Sequence, residues 1–147
     1  MDYYFISEAE FQQKIQNDSF AEYANVHGNY YGTLKSELLG QIEKGVDVLL
    51  DIDVQGAIKI KHECEKNPIF QKACSFIFIA PPSLEELERR LRSRNTETEE
   101  SILKRLANGK KELEHTGLYD YVLVNDVLDN AIHSFFHFIN KRSNEFQ

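Results

Sequence analysis

Two aspartates at the end of an apolar run are residues whose type and spacing could do chemistry. The run is Val48–Ile52, and its length and composition fit a strand buried on both faces of a parallel sheet. Asp51 and Asp53 lie at its C-terminal end, where open α/β sheets bind ligands. Because residues two apart on a strand point to the same side, both carboxylates are predicted to face one ligand or metal. The alternative is a pair of hydrated aspartates at a strand end.

Arginines form a second candidate cluster. Five of the six fall in one short segment: Arg89, Arg90, Arg92, Arg94 and Arg105. The planar fork of arginine suits phosphate and carboxylate oxygens, so the segment predicts a local anion site. The net charge of −7 argues against a general affinity for nucleic acid. The alternative is a solvated helix face on which the arginines pair with Glu85, Glu86 and Glu88.

Length, hydropathy and cysteine usage restrict the class of protein. With 147 residues the chain can form one sizeable hydrophobic core. No apolar run is long enough to span a membrane, and no signal-peptide pattern is present. Cys64 and Cys74 show neither a CxxC spacing nor a metal-ligand cluster, which is typical of a reducing compartment. We therefore expect a cytoplasmic protein.

An aromatic and glycine-rich stretch near the start of the chain predicts a β-hairpin. Residues 20–33 read F-A-E-Y-A-N-V-H-G-N-Y-Y-G-T, and Gly28-Asn29 is a turn signal between two strand-like stretches. The hairpin follows a helix whose predicted N-cap is Ser7. Its strands are expected to present four polar side chains: Glu22, Tyr30, Tyr31 and Thr33. For the tyrosines, the alternative is that they are ordinary side chains on the surface of the sheet.

From residue 34 onward, the pattern alternates between helices and buried strands. Residues 34–44 predict a helix with Gly45 as its C-cap, and a second helix is expected to begin at Gln55 and to end before Asn67-Pro68. Two further buried strands are predicted at residues 74–80 and 119–124. This alternation is typical of an α/β fold with a parallel sheet.

Two helices are expected to carry the arginines. Arg90 and Arg94 lie one turn apart on the helix that follows residues 74–80, and they share one face. Thr96 and Glu99 would cap the next helix. Arg105 lies on this second helix, opposite the other two arginines if the helices form a hairpin.

Six short phrases follow one another along the chain: D-Y-Y-F-I-S, G-N-Y-Y-G-T, L-L-D-I-D-V-Q-G, I-A-P-P-S, R-L-R-S-R-N-T-E-T-E-E-S-I and V-N-D. In this order and spacing the chain resembles guanylate kinase, a nucleoside monophosphate kinase of the P-loop class. The resemblance covers essentially the whole chain, and the six phrases together are specific although each alone is weak. It implies an α/β fold: a parallel-sheet P-loop kinase core with a small, β-rich GMP-binding insertion and a helical lid.

The resemblance implies transfer of a phosphoryl group from ATP to GMP, giving GDP and ADP. By the family pattern, Tyr3 and Tyr31 would donate their hydroxyls to the GMP phosphate. Glu22 and Thr33 would read guanine, because a carboxylate can accept both the N1–H and the N2 amine of guanine. Adenine lacks that pair of donors. Asp53 matches a further acid of the guanine site.

The remaining matches concern ATP and magnesium. Asp51 matches the acid that ends a Walker-B-like strand, within the GMP site and near the Mg²⁺ that is the expected cofactor. Arg90, Arg94 and Arg105 match the lid and catalytic arginines, which would stabilise the charge of the transferring phosphoryl group. Two residues match the region that contacts the adenine of ATP: Asn125 and Asp126.

The resemblance also divides the chain into regions. Residues 1–33 would form the GMP-binding subdomain, residues 34–82 and 114–147 the core, and residues 83–113 the lid. The implied partners are the small molecules GMP and ATP, without nucleic acid or membrane. A complete enzyme of this kind is expected to be a monomer.

One family motif is absent from these 147 residues. Guanylate kinases begin with a strand and a P-loop, G-x-x-x-x-G-K-[ST], whereas the Gly109-Lys110 pair here has Lys104 in place of the first glycine. The resemblance therefore implies a core without its first strand and with open apolar sheet edges. Without a phosphate cradle, we expect the chain by itself to have no useful kinase activity.

Three interpretations follow. The chain is an incomplete copy of a guanylate kinase, or a catalytically inactive module of this type that binds GMP or another protein. In the third, it is a nucleotide-binding remnant that takes the missing strand from a partner chain. Retention of every downstream arginine favours the first interpretation, because a pure binding module would not need them.

Overall fold

The computed structural model describes residues 3–26, 28–94 and 98–145. The chain divides into two units, Met1–Cys74 and Ser75–Gln147. The elements of the first unit are α1 (Glu8–Gln16), β1 (Phe20–Val26), β2 (Asn29–Leu34), α2 (Lys35–Ile42), α3 (Val54–Lys66) and α4 (Pro68–Ala73). Those of the second unit are β3 (Ile77–Ala80), α5 (Leu84–Ser93), α6 (Glu99–Leu113), a 3₁₀ turn (Thr116–Leu118), β4 (Tyr121–Val124) and α7 (Leu128–Glu145).

β1 and β2 form the antiparallel hairpin that the sequence predicts. Glu22 lies opposite Thr33 and Ala24 opposite Tyr31, after a bulge between Phe20 and Glu22. Because side chains alternate across a strand, these two pairs lie on one face of the hairpin. The other face is left for packing.

That second face packs on helix α1, which begins at the predicted N-cap Ser7. The ring of Phe11 stacks on the ring of Phe20 with their centroids 4.4 Å apart, and both side chains are buried. The rings of Tyr23 and Tyr30 lie 6.4 and 5.2 Å from the ring of Phe11. Aromatic packing of this kind contributes more than the burial of its area alone, so it gives the hairpin a firm support.

The helices after the hairpin begin and end close to the predicted residues. α2 is followed by Gly45 in the left-handed region at φ +69°, and the N–H groups of Gly45 and Val46 bond back into the last turn of the helix. α3 begins at its N-cap Asp53 and ends before Asn67. Asn67 then caps the short helix α4, which the sequence pattern does not predict.

The strand predicted at Val48–Ile52 is wrong, because residues 46–53 contain no strand. Val48 and Leu49 are 43% and 77% exposed. A strand exists only where a neighbour accepts and donates its backbone hydrogen bonds. Within the described residues, β1 and β2 pair only with each other, and so do β3 and β4. The apolar pattern at this segment is therefore not sufficient to form a strand.

A cluster of four charged residues joins α3 to the base of the hairpin. We call Asp18, Lys35, Glu63 and Lys66 the Glu63 cluster. The Lys35 ammonium lies 2.6 Å from one Glu63 oxygen and 2.7 Å from an Asp18 oxygen. Lys66 lies 3.2 Å from the other Glu63 oxygen. Burial by itself raises the pKa of Glu63, but the hydrogen bonds from Lys35 and Lys66 outweigh it, and the pKa is lowered.

The second unit contains the parallel strand pair that the alternating pattern predicts. Ile77 of β3 lies opposite Tyr121 of β4, and Ala80 lies opposite Val124. The ring of Tyr121 stacks on Phe138 of α7 with a centroid distance of 4.9 Å. The parallel pairing followed by a helix agrees with the predicted α/β class.

α5 and α6 pack on each other as expected for the predicted helix pair. Leu87 of α5 approaches Gly109 of α6 so closely that a Cβ on Gly109 would lie 2.8 Å from it. Ser83 caps α5 as predicted. The N-cap of α6 is Thr98, whereas Thr96, the predicted cap, lies outside the described residues.

Replacing Glu63 by Gln is expected to lower the free energy of unfolding by about 2 kcal/mol, because Lys35 would lose its buried partner. The expected loss of stability is modest because Asp18 would still pair with Lys35. Glu65→Gln is the matched control, since Glu65 is exposed on the same helix. Denaturant unfolding of both variants at pH 7 measures the difference, and equal losses would contradict the role of the Glu63 cluster.

The same pair of variants tests a pH dependence. The pKa of Glu63 is lowered in the folded chain, so its stabilising contribution is present above the ordinary Glu value of about 4.3. The contribution is lost as the pH falls through the lowered folded value. The gap between wild type and Glu63→Gln should therefore shrink below about pH 4.

Candidate functional site

Glu22 and Thr33 face each other across the hairpin. Thr33 Oγ1 donates a hydrogen bond to Glu22 Oε1 at 2.7 Å, and both side chains are half-buried. The other oxygen, Glu22 Oε2, lies 3.6 Å from the position that a Cβ on Gly56 would occupy. The hydroxyl thus holds one carboxylate oxygen while the second lies at the first turn of α3.

Asp53 is brought to the same place by the start of α3. Its Oδ1 accepts the Gly56 N–H at 2.8 Å and lies 3.5 Å from the same Cβ position. Oxygens of Glu22 and Asp53 therefore lie within 3.6 Å of one point. The positive end of the α3 dipole stabilises two carboxylates at this range. Gly56 is buried, and a Cβ there would lie in ordinary van der Waals contact with both acids and 3.2 Å from the Cβ of Ile52.

The other residues predicted for this site are held less firmly. Tyr31 shares the hairpin face of Glu22 and Thr33 and is 50% exposed. Tyr3 is 63% exposed, and Asp51 lies exposed in the irregular segment before α3. Within the described ranges, no hydrogen bond or ion pair joins Tyr3 or Asp51 to the Glu22–Thr33 pair.

In the second unit, Arg90 ties helix α5 to the residues that follow β4. Its Nε donates to Glu86 Oε1 at 2.7 Å. Its two terminal nitrogens donate to the main-chain carbonyls of Asn125 and Asp126 at 2.8 and 3.1 Å. The guanidinium fork is thus engaged on fixed protein oxygens.

An open pocket of about 200 Å³ adjoins this contact. Arg90, Arg94 and Asn125 line it together with apolar residues of β3 and α5. Arg94 is exposed at the C-terminal end of α5. The structure therefore brings two of the three predicted catalytic arginines and a predicted adenine contact to one cavity. Arg105, exposed on α6, is outside its lining.

Arg89 and Arg92 are paired with carboxylates. Arg89 donates twice to Glu86, at 2.7 Å each, and Arg92 donates twice to Glu99 of α6, at 2.6 and 2.7 Å. Hydrogen bonds from Arg89 and Arg90 lower the pKa of Glu86 to about 2. The pairs Arg89–Glu86 and Arg92–Glu88 agree with the alternative of a solvated, ion-paired helix face, and Arg92 pairs with Glu99 in addition.

Lys59 is a residue near the site that the sequence pattern does not single out. Its Nζ donates to the Tyr23 carbonyl at 2.5 Å and lies 4.0 Å from the centroid of the Tyr23 ring. Lys59 follows Gly56 by about one turn of α3. Lysines in helices are usually surface residues, and Tyr23, the partner of Lys59, is far away in the chain. No local signal therefore predicts the contact.

Comparison with known proteins gives consistent matches. A family model described as guanylate kinase matches residues 1–142. The guanylate kinase of Fusobacterium nucleatum is 50% identical over 131 residues, which are 89% of this chain and 67% of that protein. The guanylate kinase of Clostridium tetani is 45% identical over 130 residues, 88% of this chain and 59% of that protein.

A solved structure matches as well. The crystal structure of guanylate kinase from Anaplasma phagocytophilum aligns with a TM-score of 0.69 and 34% identity, over 95% of this chain and 64% of that one. The chain thus spans about three-fifths to two-thirds of the length of the relatives it matches.

Gly32→Ala is expected to destabilise the hairpin that carries Glu22 and Thr33. A Cβ at Gly32 would lie 2.9 Å from a ring carbon of Phe20 and 3.0 Å from the Glu22 carbonyl oxygen. Overpacking of this kind costs roughly 1–3 kcal/mol. The loss is measured as a lower free energy of unfolding.

Gly40→Ala is the matched control for this substitution. Among the described residues, nothing apart from the chain neighbours and the backbone of its own helix lies within 4 Å of a Cβ on Gly40, which is in α2. Alanine there should be neutral or should stabilise by up to about 1 kcal/mol, because alanine has the higher helix propensity. Equal stability of the two variants would contradict the close approach at Gly32.

Proposed function

Since this chain belongs to the guanylate kinase family, we propose that it carries the GMP site, the lid and the adenine-contacting residues of an enzyme that phosphorylates GMP with ATP. The observation that carries the proposal is the Glu22–Thr33 pair beside Asp53 at the start of α3. Two carboxylates near one point suit a ligand with two adjacent N–H donors.

Guanine is such a ligand. Its N1–H and N2 amine would donate to the Glu22 carboxylate, whose orientation Thr33 sets through the 2.7 Å hydrogen bond. Asp53 would stand beside the same base edge. Adenine offers an acceptor at N1 and no amine at C2, so it would leave the carboxylates unpaired. An unpaired buried polar group costs about 1–3 kcal/mol, and more when it is charged.

The phosphate of GMP would be bound by tyrosine hydroxyls. Tyr31 lies on the face of Glu22 and Thr33, two residues along β2 from Thr33. That offset is about 7 Å, a distance suited to separating the base from the phosphate of one nucleotide. Tyr3, exposed near the N-terminal end of the described residues, would add a second donor.

The arginines of the second unit would act on the phosphoryl group of ATP. Arg94 and Arg105 are exposed and would stabilise the charge that spreads over the transferring group. Arg90 lines the pocket and would contribute to the same stabilisation. Asn125 and Asp126 follow the end of β4 and would contact adenine.

Magnesium would accompany ATP. Among the described residues, no group of three or more His, Cys, Asp or Glu could hold a metal ion. Mg²⁺ is commonly held by one or two carboxylates together with substrate phosphates, and Asp51 fits the part of a single carboxylate ligand. The ion would neutralise phosphate charge.

The proposal also covers the location, the oligomeric state and the partners of the protein. In the portions of the chain that the structure describes, no helix is long and apolar enough to cross a membrane. A cytoplasmic location and a monomeric enzyme are proposed from the two small nucleotide substrates. Nucleic acid is not a proposed partner, in keeping with the net charge of −7.

Glu22→Gln is expected to weaken GMP binding roughly 10- to 100-fold and to leave AMP binding nearly unchanged. The variant loses one charged acceptor, whose hydrogen bonds contribute about 1.5–3 kcal/mol. Titration calorimetry of the chain with each nucleotide measures both affinities. Glu37→Gln, at an exposed glutamate of α2, is the control. Equal affinities of the wild-type chain for GMP and AMP would refute the assignment of Glu22.

Arg94→Ala and Arg105→Ala are each expected to lower kcat by roughly 100-fold or more in a chimaera that places a guanylate kinase P-loop segment before this chain. Melting temperature should barely change, because exposed charges contribute little stability. Arg92→Ala is the control, since Arg92 pairs with Glu99 outside the pocket. Its kcat should stay within a few-fold of the parent. Similar kcat values in all three variants would contradict a catalytic role of Arg94 and Arg105 and would favour the alternative of a solvated helix face.

A further inference from the structure

Lys59 of α3 makes two contacts with one residue of the hairpin. Its ammonium donates to the Tyr23 carbonyl at 2.5 Å and lies 4.0 Å from the centroid of the Tyr23 ring. Lys59 is half-buried, so water competes less for the ammonium than it does at an exposed lysine. A charged donor makes the hydrogen bond strong, and the cation–π contact adds to it. Together the contacts attach one residue of β1 to α3.

Tyr23 is the residue that directly follows Glu22 in β1. It is also held by its pairing with Gly32 of β2 and by the neighbouring rings of Phe11 and Phe20. Since successive residues share a peptide plane, a displacement of Tyr23 carries the Glu22 backbone with it. The contact with Lys59 therefore acts on the position of Glu22.

α3 carries the other half of the candidate guanine site. Asp53 caps this helix, Gly56 lies in its first turn, and Lys59 follows about one turn later. A helix moves as a rigid element, so the Lys59 ammonium and the Asp53 carboxylate keep a fixed relation. Any shift of β1 along α3 would change the separation between Glu22 and Asp53.

We propose that Lys59 is a positioning residue for guanine recognition. It holds β1 against α3 so that the carboxylates of Glu22 and Asp53 keep the spacing that the base edge requires. This inference rests on the proposed function, since it takes Glu22 as the group that reads guanine. A residue that only stabilised the fold would leave the ratio of GMP to AMP affinity unchanged.

The test compares that ratio in variants of the full chain by titration calorimetry with GMP and AMP. Lys59→Met keeps the aliphatic stem and removes both cationic contacts, and the ratio is expected to fall at least fivefold. Lys59→Arg can donate to the same carbonyl and lie over the same ring, so it should restore most of the ratio. Lys72→Met, at an exposed lysine of α4, should leave the ratio unchanged.

Each other outcome has a definite meaning. An unchanged ratio in Lys59→Met, whatever its melting temperature, overturns the inference. If Lys59→Met does not fold, Lys59→Gln replaces it, because glutamine stays polar but lacks the charge on which both contacts depend, and its side chain is one bond shorter. A ratio in Lys59→Gln equal to that of wild type overturns the inference too. A wild-type chain that does not distinguish GMP from AMP refutes the proposed function itself, which separates the two failures.

Discussion

The close approach of β1 to the first turn of α3, around Gly56, is the constraint on which the candidate site depends. Oxygens of Glu22 and Asp53 lie within 3.6 Å of the position that a Cβ on Gly56 would occupy, and the tightest contact of that Cβ would be with Ile52 Cβ, at 3.2 Å. Two carboxylates at such range repel each other unless something compensates for their charge. The Thr33 hydroxyl and the N-terminal end of α3 supply that compensation.

Polar contacts attach α3 to the hairpin at two points about one turn apart along the helix. In the middle of α3, Lys59 binds Tyr23 in the middle of β1. Near its end, Glu63 binds Lys35, the residue directly after β2, and Lys35 in turn binds Asp18 before β1. The apolar support comes from the opposite face, where Phe11 of α1 stacks on the hairpin. The period of two along each strand thus separates a packing face from a binding face.

In the second unit, the arginines differ in what their guanidinium groups contact. Arg89 and Arg92 pair with carboxylates, whereas Arg90 pairs with Glu86 and also donates to main-chain carbonyls after β4. Arg94 lies at the rim of an open pocket. An arginine whose fork is already engaged on protein oxygens must give up those hydrogen bonds before it can bind a phosphate. The arginine cluster is therefore a set of residues with different tasks, and its spacing in the sequence does not reveal this.

Interactions between residues close in the chain are readable from the sequence. The cap at Ser7, the left-handed Gly45 and the hairpin all follow from local patterns, and six short phrases are enough to predict the family. The prediction of a strand at Val48–Ile52 is wrong because an apolar run indicates only a tendency to form a strand. A strand also requires a neighbour to share its backbone hydrogen bonds. The contacts of Lys59 with Tyr23 and of Glu63 with Lys35 join residues far apart in the chain. Side-chain identity alone does not predict such partners, because their meeting depends on how β1, α2 and α3 pack. The sequence therefore named the two acids of the candidate site, and packing around Gly56 brought them together.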